Sequence, residues 1–267
     1  MLFRYPQNHE TRQVVRRLAV VFCSVVALVI VLAAQKPAPP ERPAGGFKME
    51  LPQPLKDETG FKQIFDGKTL DGWDGDPKLW RVEGGNIVGE TTAETMPKQN
   101  SFLIWRGGSP SDFELKAQYR LGAVNSGIQY RSIELPDIRW AMKGYQADID
   151  AEERFTGQIY EERGRGFLAL RGQYTYIGMG KKPGVVGSLG DGAELKNFIK
   201  SGDWNEYHII AHGNALTQVL NGHVMSMLVD DDGPNRKMSG LIGIQLHLGP
   251  PMKVEVRNVR IKVIKDA

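Results

Sequence analysis

The sequence predicts an all-β fold, a sandwich of short antiparallel strands. No segment beyond residue 59 has a long helical period, and apolar residues instead alternate with polar ones over short runs. Glycine is frequent, with 31 residues spread along the chain, and turn-forming Gly, Asn, Asp and Pro bound the alternating runs. Short alternating strands separated by such turns are typical of a two-sheet sandwich.

The first 35 residues have the pattern of an export signal. Arg12, Arg16 and Arg17 precede an uncharged apolar run, residues 18–34, which ends in two alanines. Basic residues followed by a short apolar run direct export, and this run is short for a membrane span of about 20 residues. We expect a signal peptide over residues 1–35, with a membrane anchor as the alternative, and therefore a periplasmic or extracellular protein.

A linker and one domain follow the signal. Residues 36–58 are rich in Pro and Gly, which is typical of a linker, and residues 59–267 have the length of one domain. The only cysteine, Cys23, lies in the apolar run, so the domain has no thiol for a disulfide or a thiolate metal site. The net charge is +3 with acidic and basic residues mixed throughout, which does not indicate nucleic-acid binding.

Several strands can be placed by their alternation. Residues 113–121 alternate apolar with polar or charged side chains, which predicts a strand with one face in solvent. Residues 206–220 continue as two strands separated near Gly213, and residues 221–222, Asn-Gly, predict a tight turn. Near the C-terminus the alternation changes phase at residues 257–258, which predicts a β-bulge.

Three further segments, residues 125–131, 145–150 and 242–248, each combine an apolar face with an unusual polar face. The polar faces present amide, carboxylate, guanidinium or imidazole groups among glycines. Such groups match adjacent pairs of hydroxyls, and glycine lets a ligand approach the backbone. A polar face is also found on the outside of ordinary sheets, but the same chemistry on three strands favours a carbohydrate-binding cleft. The side chains of this predicted cleft are Asn125, Gln129, Arg131, Gln146, Asp148, Asp150, Gln245 and His247.

A second group of polar residues follows Gly157. Its pattern is consistent both with the rim of a cleft and with a solvated run of charges, and the sequence does not separate the two. The residues of this group are Tyr160, Glu161, Glu162, Arg163 and Arg165.

An ordered set of motifs runs through nearly the whole domain. It consists of Gly60-Phe61, residues 64–73, 80–85, 112–115, 125–131, 144–150, 156–160, 202–205, 221–222, 240–247 and 256–259. Together they resemble the 3-keto-disaccharide hydrolase family, also described as 3-keto-glucoside lyase/hydratases. The resemblance implies a concanavalin-like jelly roll, in agreement with the predicted strands. The family commonly has Glu at the position of Gln146 and Gln at the position of Asp148. The chain therefore looks like a member of a variant subgroup.

The resemblance also implies a chemistry. A sugar that another enzyme has oxidised at C3 has an acidic C2 hydrogen, whose removal gives an enolate. The group at C1 then leaves by elimination, and water adds to the enone. This route needs a base near C2, a positive group near the C3 oxygen and an acid near the leaving oxygen.

Relative to the family, this chain has the carboxylate two residues further along the same face of the strand, and we therefore take Asp148 as the base, with His247 as the second choice. Arg131 is expected at the enolate oxygen and Glu161 at the leaving group, although alternation places Glu161 on the strand face opposite Tyr160. A divalent metal ion is an optional cofactor in this interpretation, with Asp148, Asp150 and His247 as its ligands. The substrate is an oligosaccharide or another glycoside, and its hydroxyls are expected to bind Asn125, Gln129, Gln146, Tyr160 and Gln245.

Two other functions fit the same sequence. A noncatalytic, lectin-like carbohydrate-binding module would use the same fold and polar face to bind sugar without turnover. A cell-surface interaction domain would use the linker to project from a membrane anchor and would bind a protein. A conventional glycosidase has less support, because no pair of carboxylates is placed across one glycosidic bond by the sequence.

Overall fold

The structure, a computed structural model, describes residues 58–264. The predicted signal segment and nearly all of the predicted linker lie outside the described residues. Within residues 58–264, no helix is both long and apolar enough to cross a membrane.

The described residues form seventeen strands and one short helix. In chain order they are β1 (Lys62–Gln63), β2 (Trp73–Asp74), β3 (Trp80–Glu83), β4 (Asn86–Glu90), β5 (Ser101–Trp105), β6 (Phe113–Leu121), β7 (Asn125–Glu134), β8 (Met142–Asp150), β9 (Ile159–Glu162), β10 (Gly166–Ala169), β11 (Gln173–Ile177), β12 (Gly184–Ser188), α1 (Gly192–Lys196), β13 (Asn205–His212), β14 (Ala215–Leu220), β15 (His223–Asp230), β16 (Leu241–Leu246) and β17 (Lys253–Val263).

These strands form two sheets, which confirms the predicted sandwich. One sheet has the order β12-β11-β15-β14-β13-β6-β17-β4-β3, with β1 paired to β17. The other has the order β10-β9-β8-β7-β16-β5-β2. Neighbouring strands are antiparallel throughout, except that β11 and β15 are parallel.

The local predictions agree with this architecture. Residues 113–121 form β6, and residues 206–220 fall in β13 and β14. Asn221 and Gly222 form the turn before β15, with φ of 50° and 85°. The register of β17 against β6 shifts between Arg257 and Arg260, where Asn258 has a φ of 51°. The change of alternation therefore did mark a bulge.

The apolar faces of the three unusual segments lie in the core between the sheets. Ile128 and Tyr130 of β7, Tyr145 of β8 and Ile244 of β16 are all buried members of the main apolar cluster. Because side chains alternate along a strand, the polar faces of β7, β8 and β16 lie on the other side of the seven-stranded sheet.

One end of this polar face is covered by the chain itself. The register of β7 against β8 shifts between Tyr130 and Ile133, and beyond this bulge Met142 packs with Phe102 and Ile104 in a second apolar cluster. Met142 lies directly over β16, because a Cβ added at Gly243 would come within 2.4 Å of its Sδ. The hairpin of β7 and β8 therefore folds back over β16, and only the other end of the polar face stays open.

Candidate functional site

The open end of the polar face is the floor of a cleft with a volume of about 840 Å³. Strands β7, β8, β9 and β16 and the segment after β16 contribute to it. The sequence-predicted residues that line it are Asn125, Gln146, Asp148, Asp150, Tyr160, Gln245 and His247, and they are joined by Gln99, Asn100, Val124, Glu152, Arg154, Phe155, Glu162, Arg163, Phe167, Leu248 and Pro250.

Strand register explains why these side chains meet. Asn125 of β7 pairs with Asp150 of β8, and Gly127 pairs with Asp148. A Cβ added at Gly127 would lie 2.4 Å from Cδ of Gln146, so the side chain of Gln146 occupies the space above this glycine. The missing side chain thus leaves room for an amide beside the carboxylate of Asp148.

Asp148 is the most perturbed carboxylate of the cleft and is only 4% exposed. Burial raises its pKa to about 7, and the charge of Asp150 adds to the increase. Two amides oppose the increase, because Nδ2 of Asn125 and Nε2 of Gln146 donate to its Oδ1 over 3.2 Å and 3.3 Å. A carboxyl group that titrates near neutral pH can accept a proton and return it during one turnover.

A buried chain of hydrogen bonds fixes the orientation of the Gln146 amide. The hydroxyl of Ser132 donates to Oε1 of Gln129 over 2.5 Å, and Nε2 of Gln129 donates to Oε1 of Gln146 over 2.8 Å. This leaves Nε2 of Gln146 directed at Asp148. Gln129, predicted to bind substrate, is fully buried behind Gln146 and does not line the cleft. It supports a cleft residue instead of contacting a ligand.

Gln245 has an amide without a partner on the cleft floor. The residue is fully buried, and neither its Nε2 nor its Oε1 has a hydrogen-bond partner in the described residues. Buried polar groups are normally paired, and one that is not calls for a ligand or an ordered water. One donor and one acceptor on a planar amide match two adjacent sugar hydroxyls.

The three proposed metal ligands do not form a metal site in this structure. Oδ2 of Asp150 accepts hydrogen bonds from the backbone N and the Nε of Arg154 over 2.9 Å and 3.1 Å, and Nδ1 of His247 lies against the carbonyl oxygen of Leu248. Asp148 is held by the two amides. Within residues 58–264, no group of three or more His, Cys, Asp or Glu is placed to hold a metal ion. The donor set therefore does not fit the predicted cation.

Arg131 does not reach the cleft, contrary to the prediction from strand alternation. It lies at the bulge of β7 with a φ of 45°, and an extra residue in a strand breaks the two-residue period. The guanidinium is 1% exposed and donates to the carbonyls of Ser111 and Gly213, while Asp112 accepts another bond from it over 3.0 Å. Arg131 therefore links β7 to the segment before β6 and to the turn after β13.

Glu161 is also turned away from the cleft, which corrects its assignment to the leaving group. It is 2% exposed and forms an ion pair of 2.6 Å with Arg165, which in turn contacts Asp230. The neighbouring Glu162 lies on the cleft face of β9 together with Tyr160. Sequence alternation separates Tyr160 and Glu162 from Glu161, and the structure places the face of Tyr160 in the cleft.

Several cleft residues come from loops and gave no signal in the sequence. Asn100 donates through Nδ2 to Glu162 over 3.1 Å, and its Oδ1 accepts the backbone N–H of Leu248 over 2.8 Å. Val124 has a φ of 68° at the edge of the cleft, a strained conformation for a β-branched residue. Such strain is found at functional sites more often than elsewhere.

The wall formed by β9 and β10 is aromatic. The rings of Tyr160 and Phe167 meet edge to face with centroids 5.0 Å apart, and Phe155 lies 5.3 Å from Phe167. Aromatic faces beside amides and carboxylates are suited to a sugar ring, which has an apolar face and polar edges.

Comparison with known proteins gives one family and a set of similar folds. Residues 60–262 match the model of the 3-keto-alpha-glucoside-1,2-lyase-like domain. A candidate glycosyl hydrolase from Parabacteroides distasonis has 22% identity and a TM-score of 0.50, covering 77% of this chain and 95% of its own. The carbohydrate-binding module CBM66 from Bacillus subtilis has 15% identity and a TM-score of 0.46, with coverages of 72% and 95%.

SCLam, a non-specific endo-beta-1,3(4)-glucanase of family GH16, has 13% identity and a TM-score of 0.45, with coverages of 78% and 93%. No curated protein sequence matches the chain. At such identities, the likeness to the Parabacteroides structure concerns the fold alone.

Proposed function

The chain belongs to the 3-keto-alpha-glucoside-1,2-lyase-like domain family, and from this we propose that it cleaves 3-keto-glycosides in the cleft. The observation that supports the proposal most is the buried Asp148, whose pKa of about 7 lies within the range a general base needs at neutral pH. It lines the same cleft, of suitable size, as the amide of Gln245, which has no partner in the described residues.

In the proposed reaction, Asp148 removes the proton from C2 of the keto sugar. Both amides donate to its Oδ1, so Oδ2 takes the proton. The electron pair of the C2–H bond passes to the C3 oxygen as an enolate. It then forms the C1–C2 double bond as the bond from C1 to the leaving oxygen breaks. The cleft acid, Glu162, gives its proton to the leaving oxygen. Water then adds to C1 of the enone and returns a proton to Glu162, while C2 regains its proton from Asp148.

The other roles move to residues that line the cleft. Arg131 and Glu161 are replaced, because both are buried in ion pairs away from it. We assign the enolate oxygen to His247, which lies just beyond β16, and the leaving oxygen to Glu162. Gln245, Asn125 and Gln146 have the amide groups that orient sugar hydroxyls.

The experiment measures release of the aglycone by the full chain from 3-keto-glycosides and from their unoxidised parents. We expect cleavage of the keto forms only, with a primary isotope effect for substrate deuterated at C2. Asp148→Asn should lower kcat at least about a hundredfold, because a general base contributes about that much. Asp71→Asn, an exposed aspartate outside the cleft, is the control.

Two results would decide against the proposal. Turnover retained in Asp148→Asn would exclude this residue as the base. Absence of turnover on every keto substrate, together with saturable binding of ordinary oligosaccharides, would instead identify a noncatalytic binding module. Glu162→Gln tests the leaving-group assignment separately, because loss of a general acid should slow substrates with poor leaving groups more than aryl glycosides.

A further inference from the structure

A second cavity adjoins the cleft and has a different chemistry. It has a volume of about 480 Å³ and is formed by the loops before β3, before β5 and before β8. Gln99 and Asn100 line both cavities, so the two spaces meet at these residues.

The two shared residues are hydrogen-bonded to segments on the cleft side. Asn100 is held by Glu162 on one side and by the backbone N–H of Leu248 on the other. Oε1 of Gln99 accepts a hydrogen bond from Arg163 over 3.3 Å. A ligand that extends past these two residues would therefore meet their hydrogen-bonded amides first and the second cavity next.

Three cationic side chains line the second cavity without forming an ion pair in the described residues. They come from the three different loops and are Lys78, Lys98 and Arg139. Arg81, which is close to Lys78 along the chain, is instead paired with Glu90 at 2.7 Å. Arg139 is also attracted to Asp74, but that carboxylate is already paired with Arg106 at 2.6 Å.

Two carboxylates, Asp76 and Glu94, line the cavity against the three cations, so the lining has a net charge of +1 (3 − 2). Oδ1 of Asp76 accepts the backbone N–H of Lys78 over 3.0 Å, and Oε2 of Glu94 accepts the hydroxyl of Thr92 over 2.6 Å. The excess charge is positive here, whereas the cleft itself has the carboxylates of Asp148, Asp150, Glu152 and Glu162 against the guanidinium groups of Arg154 and Arg163.

Trp140 holds one of the cations in place. The guanidinium carbon of Arg139 lies 4.2 Å from the centroid of the indole ring, and the indole Nε1 donates to Asp74 over 2.8 Å. Trp140 has a φ of 58°, an uncommon conformation for a bulky residue. A stacked and planar guanidinium is pre-organised to bind a carboxylate or sulfate with two hydrogen bonds.

We propose that the second cavity binds an anionic group on the substrate, a carboxylate or a sulfate ester on the sugar next to the one in the cleft. The inference rests on the proposed function only in placing the reacting sugar in the cleft. The substrate class is then a glycan in which a neutral sugar, bound in the cleft, is linked to an acidic sugar, bound in the second cavity. The net positive lining of the cavity, its continuity with the cleft and its size, which suits one sugar ring, support this assignment.

The test is calorimetric binding to the full chain at low salt of three unoxidised disaccharides: a neutral one, its counterpart with a carboxylate on one ring, and its counterpart with a sulfate ester there. We expect an anionic disaccharide to bind about tenfold more tightly than the neutral one and to lose this advantage as salt increases. Whichever of the two anions binds more tightly identifies the source of the charge.

The double variant Lys98→Gln, Arg139→Gln should remove the preference and leave binding of the neutral disaccharide unchanged. Lys181→Gln, Lys182→Gln removes two exposed charges outside both cavities and is the matched control. Equal binding of all three disaccharides, or a preference that survives the double variant, would overturn the proposal. Turnover of a 3-keto-glycoside with a small neutral aglycone, measured in the same variants, tests the proposed reaction independently.

Discussion

The charge of Asp148 should destabilise the folded protein above neutral pH. Burial, the largest cause, raises the pKa of this carboxyl from its ordinary 3.8 to about 7. Between these two values the folded protein keeps a proton that the unfolded chain has released, so the free energy of unfolding falls as pH rises through this window. Below the window both forms are protonated, and above it both are charged.

The magnitude follows from the two pKa values. At 1.36 kcal/mol per pH unit, the interval from 3.8 to about 7 sets an upper bound of about 4 kcal/mol on the stability lost by pH 8. Asp148→Asn keeps the shape and the carbonyl oxygen that accepts from Asn125 and Gln146, but cannot ionise. We therefore expect this variant to be more stable than the wild type at pH 8 by up to about 4 kcal/mol, and equally stable near pH 4.

Urea unfolding of both proteins at pH 4 and pH 8 measures this difference. Asp71→Asn, which replaces an exposed aspartate, should show no such dependence of the stability difference on pH. If the stability difference between the two proteins were the same at both pH values, burial would not raise the pKa of Asp148 in the folded protein. A variant that is inactive and yet more stable would show that the site is maintained for its chemistry, at a cost in stability.

Three other substitutions test the site. Gly127→Ala should lower kcat/KM about tenfold, because the new Cβ would lie only 2.4 Å from Cδ of Gln146 and would displace that side chain. The control, Gly122→Ala, has its nearest neighbouring atom at 3.8 Å and should have no effect in the same steady-state assay. Gln245→Met should weaken sugar binding about tenfold by calorimetry and leave the free energy of unfolding unchanged or higher, since an unpartnered buried amide is removed. Arg131→Met should lower the free energy of unfolding by about 3–5 kcal/mol, because the partners of a buried ion pair are left unpaired; a stable variant with reduced turnover would restore its predicted role at the enolate.

The floor of the cleft could be predicted from the sequence because it lies on regular strands. Asp148, Gln146 and Asn125 are placed by a period of two that holds over the whole contact between β7 and β8 up to Tyr130. The same period assigns Gln245 to the polar face of β16. Alternation thus predicts a face reliably wherever the ladder is unbroken.

The period gave the wrong position for Arg131 because the ladder is broken there. Glu161 was misplaced for a different reason: it was assigned to the cleft together with Tyr160, although alternation puts adjacent residues of a strand on opposite faces. Asn100 and Arg139 lie on loops, where no periodic signal exists. Their positions depend on contacts between segments distant in sequence, such as Asn100 with Glu162, 62 residues apart.

The bulge that invalidated the prediction for Arg131 is also the feature that builds the site. It turns Arg131 into the interior, where Asp112 pairs with it, and it brings Ser132 to the start of the hydrogen-bond chain that reaches Asp148 through Gln129 and Gln146. Without the bulge, Ser132 would follow the alternation onto the apolar face, and the amide of Gln146 would have no fixed orientation. A single inserted residue therefore replaces a guanidinium on the cleft face with a buried chain of hydrogen bonds that supports Asp148, as expected of bulges beside functional sites.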